Sequence, residues 1–157
     1  MYIKDFVEKL LPIQNLNNLY VVADFDRTIT AGSSKTSWSV LADTDLVPEE
    51  YSTERHKQYD KYRPIEVDTS LPFEYRMKMM AEWFRAHIGL FVKYKMTEEV
   101  FEKAATDLRV MDFRIGAPEF LEFLYNNHIP LIIISAGIGN FIEAFLKKHN
   151  CYFDNIY

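Results

Sequence analysis

Apolar and polar positions divide the chain into two short strand-type runs and longer stretches of helical spacing. The first run, Tyr20-Val21-Val22-Ala23, ends abruptly in Asp24-Phe25-Asp26-Arg27-Thr28-Ile29-Thr30. A short β-branched run of this kind predicts a buried strand, in the manner of a parallel sheet. The second run, Ile129 to Ile134, stops at Ser135-Ala136-Gly137-Ile138-Gly139-Asn140. Beyond it Phe141, Ile142, Phe145, Leu146 and His149 recur at helical spacing. From Gly32 to about Asp112 the pattern is helical, with no further strand. Pro48 suits a first helical position, ahead of a charged, solvated helix from Glu49 through Tyr62. Ser70 reads as the N-cap of a long helix with Phe73, Met77, Met80, Phe84 and Phe91 on one face, and Met77, Met79 and Met80 as core filling. Thr97 starts another helix, with Val100, Ala104 and Leu108 inward. Pro118 opens the helix that carries Phe120, Leu121 and Leu124 to the second strand. Tyr2 to Leu11 reads as a short amphipathic helix stopped by Pro12, and Gln14 to Asn18 as polar punctuation. Strands joined by helices in this order predict an α/β fold.

The chemistry sits where the strands end. Open α/β sheets bind ligands beyond the carboxyl ends of their strands. Asp24 and Asp26 would stand there, with strand alternation sending both side chains the same way. Carboxylates so close repel unless a cation or a shared proton relieves them. Ser135 falls at a strand-to-helix corner, where free backbone N–H groups and the helix end favour a phosphate. Gly137 and Gly139 allow the backbone to approach closely. The same residue types also suit plain turns and helix caps.

The order Asp24-x-Asp26-x-Thr28 at a strand end, with Ser135 after the second strand, resembles the haloacid-dehalogenase-like phosphatases. The resemblance implies a Rossmann-like parallel-sheet core, with a helical type 1 cap inserted after the first strand. It divides the chain into core at 1–31, cap at 32–112 and core at 113–157. By it, Asp24 would be the nucleophile that becomes an aspartyl-phosphate, and Asp26 the general acid and then the base. Mg2+ would sit on the Asp24 carboxylate and the Asp26 backbone carbonyl. Thr28, Ser135, Ala136 and Gly137 would bind the phosphoryl group. Ile65-Glu66-Val67-Asp68, Met80-Ala81-Glu82-Trp83-Phe84, His87-Ile88-Gly89-Leu90 and Ser135-Ala136-Gly137-Ile138-Gly139 are similar, more narrowly, to the pyrimidine 5'-nucleotidase family of the cytosolic nucleotidase III type. That likeness implies Glu66 facing a nucleobase and Trp83 in the substrate pocket; Gly32–Gln58 has no counterpart in it. A solvated helix charge and a core anchor are the plainer roles for these two residues.

Composition narrows the class. A formal net charge of -5 argues against binding a nucleic-acid backbone, though helix ends and Mg2+ can still hold a small anion. Cys151 is the only cysteine, which fits a reducing, cytoplasmic setting, and the apolar runs are too short to span a membrane. The expected partner is a small phosphate ester, a nucleoside monophosphate by resemblance. After Ser135 the chain offers Lys147, Lys148 and Asp154 toward the lysine and late carboxylates of the resembled family. Both lysines fall about three helical turns, roughly 15 Å, from the active end. Phe153 to Tyr157 reads as the start of a third strand. The expectation is therefore an N-terminal part of a longer core, with an apolar edge at Tyr20–Phe25 and little activity alone. Two other readings stand beside nucleotide hydrolysis: a phosphatase for another small metabolite, and a non-catalytic fragment that binds a partner.

Overall fold

The structure, a computed structural model, describes residues 19–107, 111–151 and 155–156. The expected helix at Tyr2–Leu11, the punctuation at Gln14–Asn18, and Leu108 and Asp154 lie outside the described residues. Two compact units are present: the described residues up to Val40 with those from Phe101 onward, and Leu41–Val100.

The first unit is built on a three-stranded sheet of order β1-β2-β3, from β1 (Val21–Ala23), β2 (Leu131–Ile133) and β3 (Asn155–Ile156). All pairings are parallel, with Val22 opposite Ile132 and Ile133 opposite Ile156. Among the described residues β1 pairs only with β2, so β1 is an edge, and Val22 on it is 51% exposed. Helix α4 (Ala117–Asn126) leads into β2, and helix α5 (Gly139–Lys148) follows it. Gly116, at φ 84, starts α4 from the left-handed region that glycine tolerates, and Pro118 lies in its first turn. The predicted spacing holds in α5, where Phe141, Ile142, Phe145 and Leu146 are buried. Phe145 meets Phe25 edge-on at 5.7 Å and Phe113 at 4.9 Å, so the residue between the two aspartates anchors in the core. Each such ring contributes roughly 1.5–3 kcal/mol by leaving water.

The second unit is an antiparallel hairpin of α1 (Glu49–Val67) and α2 (Phe73–Lys93). Helix α3 (Glu98–Ala104) follows in the chain. Helix α1 runs past the predicted end at Tyr62, through Pro64 to Val67, and Pro48 is its N-cap rather than its first residue. Helix α2 starts after Pro72, because Ser70 is engaged elsewhere: its N–H donates to Asp68 Oδ1 at 2.9 Å. The expected inward face of α2 is corrected too. Phe73, Met77 and Phe84 are 63%, 52% and 56% exposed, whereas His87 and Leu90 are buried. Met77 is therefore not core filling. The cause lies in α1, whose interface is made of tyrosines rather than aliphatic residues. Tyr62 stacks on Trp83 at 5.8 Å, and its hydroxyl donates to Glu82 at 2.6 Å. Tyr51 is buried against Phe91 and Tyr94, with its hydroxyl 3.5 Å from His87 Nε2.

Candidate active site

Strand β1 stops at Ala23, one residue before the first aspartate. Asp24 is exposed, and one of its oxygens accepts the Phe25 N–H at 2.7 Å, so it caps the turn that follows. That turn, Phe25–Ile29, is wide and irregular, closed by the Thr30 N–H on the Phe25 carbonyl at 3.1 Å. Within it Arg27 sits at φ 61, a left-handed conformation that costs an arginine about 1–2 kcal/mol. Local bonds hold it there. The Arg27 N–H donates to Thr30 Oγ1 at 2.7 Å, and Arg114 grips the outer side. Arg114 Nε donates to the Thr28 carbonyl at 2.8 Å, and another guanidinium nitrogen donates to the Arg27 carbonyl. The Arg114 N–H donates to the Ile29 carbonyl at 2.9 Å, beside an antiparallel bridge between Thr30 and Phe113.

Asp26 leaves the strand direction and turns into the unit, where it is half-buried. Both its oxygens are taken by one residue: the Ser37 N–H donates to Oδ1 and the Ser37 hydroxyl to Oδ2, each at 2.8 Å. Burial raises the Asp26 pKa above the ordinary carboxylate value and the charge of Asp24 adds to this, while the Ser37 bonds and Arg27 oppose it. A carboxyl whose pKa is raised, beside an exposed carboxylate, is a pair suited to acid and nucleophile.

The second motif lies beside the first, because β2 pairs with β1 and the Ile134 N–H donates to the Ala23 carbonyl at 2.9 Å. Ser135 is half-buried, and its Oγ accepts the Gly137 N–H at 3.1 Å. Ala136 is exposed. Helix α5 begins after Ile138 without a side-chain cap, and the first turn of a helix favours an anion. Thr28 is exposed on the wide turn.

Glu66 and Trp83 lie in the hairpin. Glu66 is half-buried near the end of α1 and pairs with Arg63. Trp83 is half-buried on α2, stacked on Tyr62 and edge-on to Tyr59 at 6.1 Å. Among the late lysines, Lys147 pairs with Glu143 along α5 at 2.6 Å. Among the described residues no three acidic, histidine or cysteine side chains form a cluster for a metal.

The roles of Ser37, Trp38 and Arg114 are not legible in the sequence. Ser37 and Trp38 fall in a stretch without a recognisable pattern, and their roles come from contacts with residues 11 and 98 positions away.

A sequence model of the pyrimidine 5'-nucleotidase (UMPH-1) family matches residues 25–157. The 7-methylguanosine phosphate-specific 5'-nucleotidase of Drosophila melanogaster is 28% identical over 88% of this chain and 45% of its own length. The enzyme of that description from Homo sapiens is 29% identical over 90% of this chain and 48% of its own. Among solved structures, cytosolic 5'-nucleotidase IIIB bound to cytidine superposes with a TM-score of 0.71 at 26% identity, covering 98% of this chain and 54% of that one. The chain thus spans about half the length of the curated relatives it matches. On this family match, which covers most of the chain from Phe25 onward, this chain belongs to the pyrimidine 5'-nucleotidase family.

Proposed function

We propose that the protein hydrolyses nucleoside 5'-monophosphates through an aspartyl-phosphate on Asp24. The observation that carries this is the pairing of an exposed Asp24 with a half-buried Asp26, both oxygens of which are held by Ser37, at the carboxyl end of β1. Asp24 attacks phosphorus and the ester oxygen leaves, taking the proton that Asp26 holds. Asp26, now a carboxylate, accepts a proton from the water that cleaves the acyl phosphate. Thr28, Ser135, the Ala136–Gly137 backbone and the first turn of α5 supply hydroxyl and N–H donors for the phosphoryl oxygens.

The donor set suits Mg2+ in part. Asp24 has a carboxylate oxygen beyond the one bonded to Phe25, and Asp26 would offer its backbone carbonyl, since Ser37 occupies both its side-chain oxygens. These are hard oxygen donors. Mg2+ bound there would neutralise phosphate charge.

We read Leu41–Val100 as the helical cap, with Glu66 and Trp83 as its nucleobase contacts; a carboxylate accepts from base N–H groups and an indole offers a stacking plane. The cytosolic description of the structural relative and the single cysteine support a cytoplasmic setting. The test is a substrate profile with and without Mg2+, using cytidine, uridine and 7-methylguanosine monophosphates beside phosphoserine. Preference for nucleotides is expected. Preference for phosphoserine would favour a phosphatase of another small metabolite.

A further inference from the structure

We propose that Ser37 is a positioning residue, whose turn latches the Asp26 loop to the Ser135–Ile138 loop and fixes the Asp26 carboxyl in its acid/base pose. The proposal rests on the acid/base reading of Asp26 given above. Ser37 is wholly buried, at 0% exposure. Its N–H and hydroxyl hold the two oxygens of Asp26, at 2.8 Å each, so the carboxyl cannot rotate without breaking a bond. Its Oγ also accepts the Ile138 N–H at 3.1 Å. One hydroxyl thus donates to the first motif and accepts from the second, using its capacity in both directions.

Neighbouring bonds make the turn stiff and the link double. The Trp38 indole N–H donates to the Ala136 carbonyl at 2.7 Å, a second tie to the same loop. The Thr36 N–H donates to Ser39 Oγ at 2.9 Å, and the Val40 N–H to the Thr36 carbonyl at 3.0 Å. Gly137 completes the fit, for a Cβ there would stand 2.6 Å from Ser37 Oγ. Simple packing would need none of this directionality. An acid that must meet the leaving oxygen at hydrogen-bond distance gains from it.

The test compares wild type, Ser37→Ala and Ser37→Thr in the full-length protein with Mg2+. The substrates are cytidine 5'-monophosphate and p-nitrophenyl phosphate, whose leaving group departs with little help from an acid. Ser37→Ala should lower kcat/KM about 30-fold for the nucleotide and less than about threefold for the nitrophenyl ester. Ser37→Thr, which keeps the hydroxyl, should restore the nucleotide rate. Amide exchange at Ile138 should quicken at least about tenfold in Ser37→Ala. Equal losses on both esters would make Ser37 merely structural and overturn the positioning role. If Ser37→Thr cannot pack, the split between substrates in Ser37→Ala decides alone. Unchanged Ile138 exchange would remove the latch. Wild type that hydrolyses neither ester would defeat the reading of Asp26, and the catalytic role of Ser37 with it, while Ile138 exchange would still decide the latch.

Discussion

Gly137 leaves no room for a side chain beside Ser37: a Cβ on Gly137 would lie 2.6 Å from the Ser37 hydroxyl and 3.1 Å from that of Ser135. The Ser37 hydroxyl cannot yield, because Asp26 and Ile138 hold it. Gly137→Ala should therefore push Ser37 off Asp26, costing about 1–3 kcal/mol of stability and lowering kcat by about 10- to 100-fold. Denaturant melts and steady-state kinetics check both. A fully active, equally stable variant would contradict the packing described.

Arg114 holds two carbonyls of the wide turn with one planar fork. Arg114→Ala should loosen Thr28 and raise the KM for phosphate esters several-fold, with a loss of about 1 kcal/mol in stability. Arg114→Lys should rescue little, since an ammonium does not reproduce the fork. Rescue by lysine would show that only the charge matters.

His87 gives the hairpin a pH dependence. In the unfolded chain its imidazole titrates near 6.5; in the fold, burial and then the charge of Arg55 lower it to about 4. Above pH 6.5 both states hold it neutral and stability is full. As pH falls from 6.5 toward 4 the unfolded state takes up a proton that the folded state refuses. Stability should drop by about 1.4 kcal/mol per pH unit across that window, roughly 3 kcal/mol in all. Thermal melts from pH 7.5 to 4 check this, with His87→Phe flattening the slope. An equal slope in both proteins would exclude His87 as its source.

Trp83 both anchors the hairpin against Tyr62 and is proposed to meet the base. Trp83→Phe and Glu66→Gln keep most of the packing. Each should raise the KM for cytidine monophosphate about tenfold, near 1.4 kcal/mol, and leave p-nitrophenyl phosphate unaffected. Equal effects on both substrates would reduce the two residues to structural parts.

The sheet and both motif corners were legible because local pattern determines them: apolar runs that end in Asp24 and in Ser135 set strand ends directly. Helix α5 was legible for the same reason, its buried line following from the spacing of Phe141, Ile142, Phe145 and Leu146. The inward face of α2 was not. Apolar spacing pointed to Phe73, Met77 and Phe84, but α1 presents tyrosines, and the buried line falls on His87 and Leu90. Strand alternation also failed past Ala23, where the wide turn sends Asp26 inward to Ser37. Ser37 carried no sign of its own, because a lone serine among polar residues acquires meaning only when the fold brings Asp26 and Ile138 to it.

The most direct test follows the phosphoryl group itself. The full-length protein is incubated with Mg2+ and cytidine monophosphate carrying a labelled phosphate, quenched in acid and mapped by mass spectrometry. A hydroxylamine-labile phosphate is expected on the peptide containing Asp24, with neither label nor phosphate release in Asp24→Asn. Undiminished release by Asp24→Asn, or label on a different residue, would contradict it.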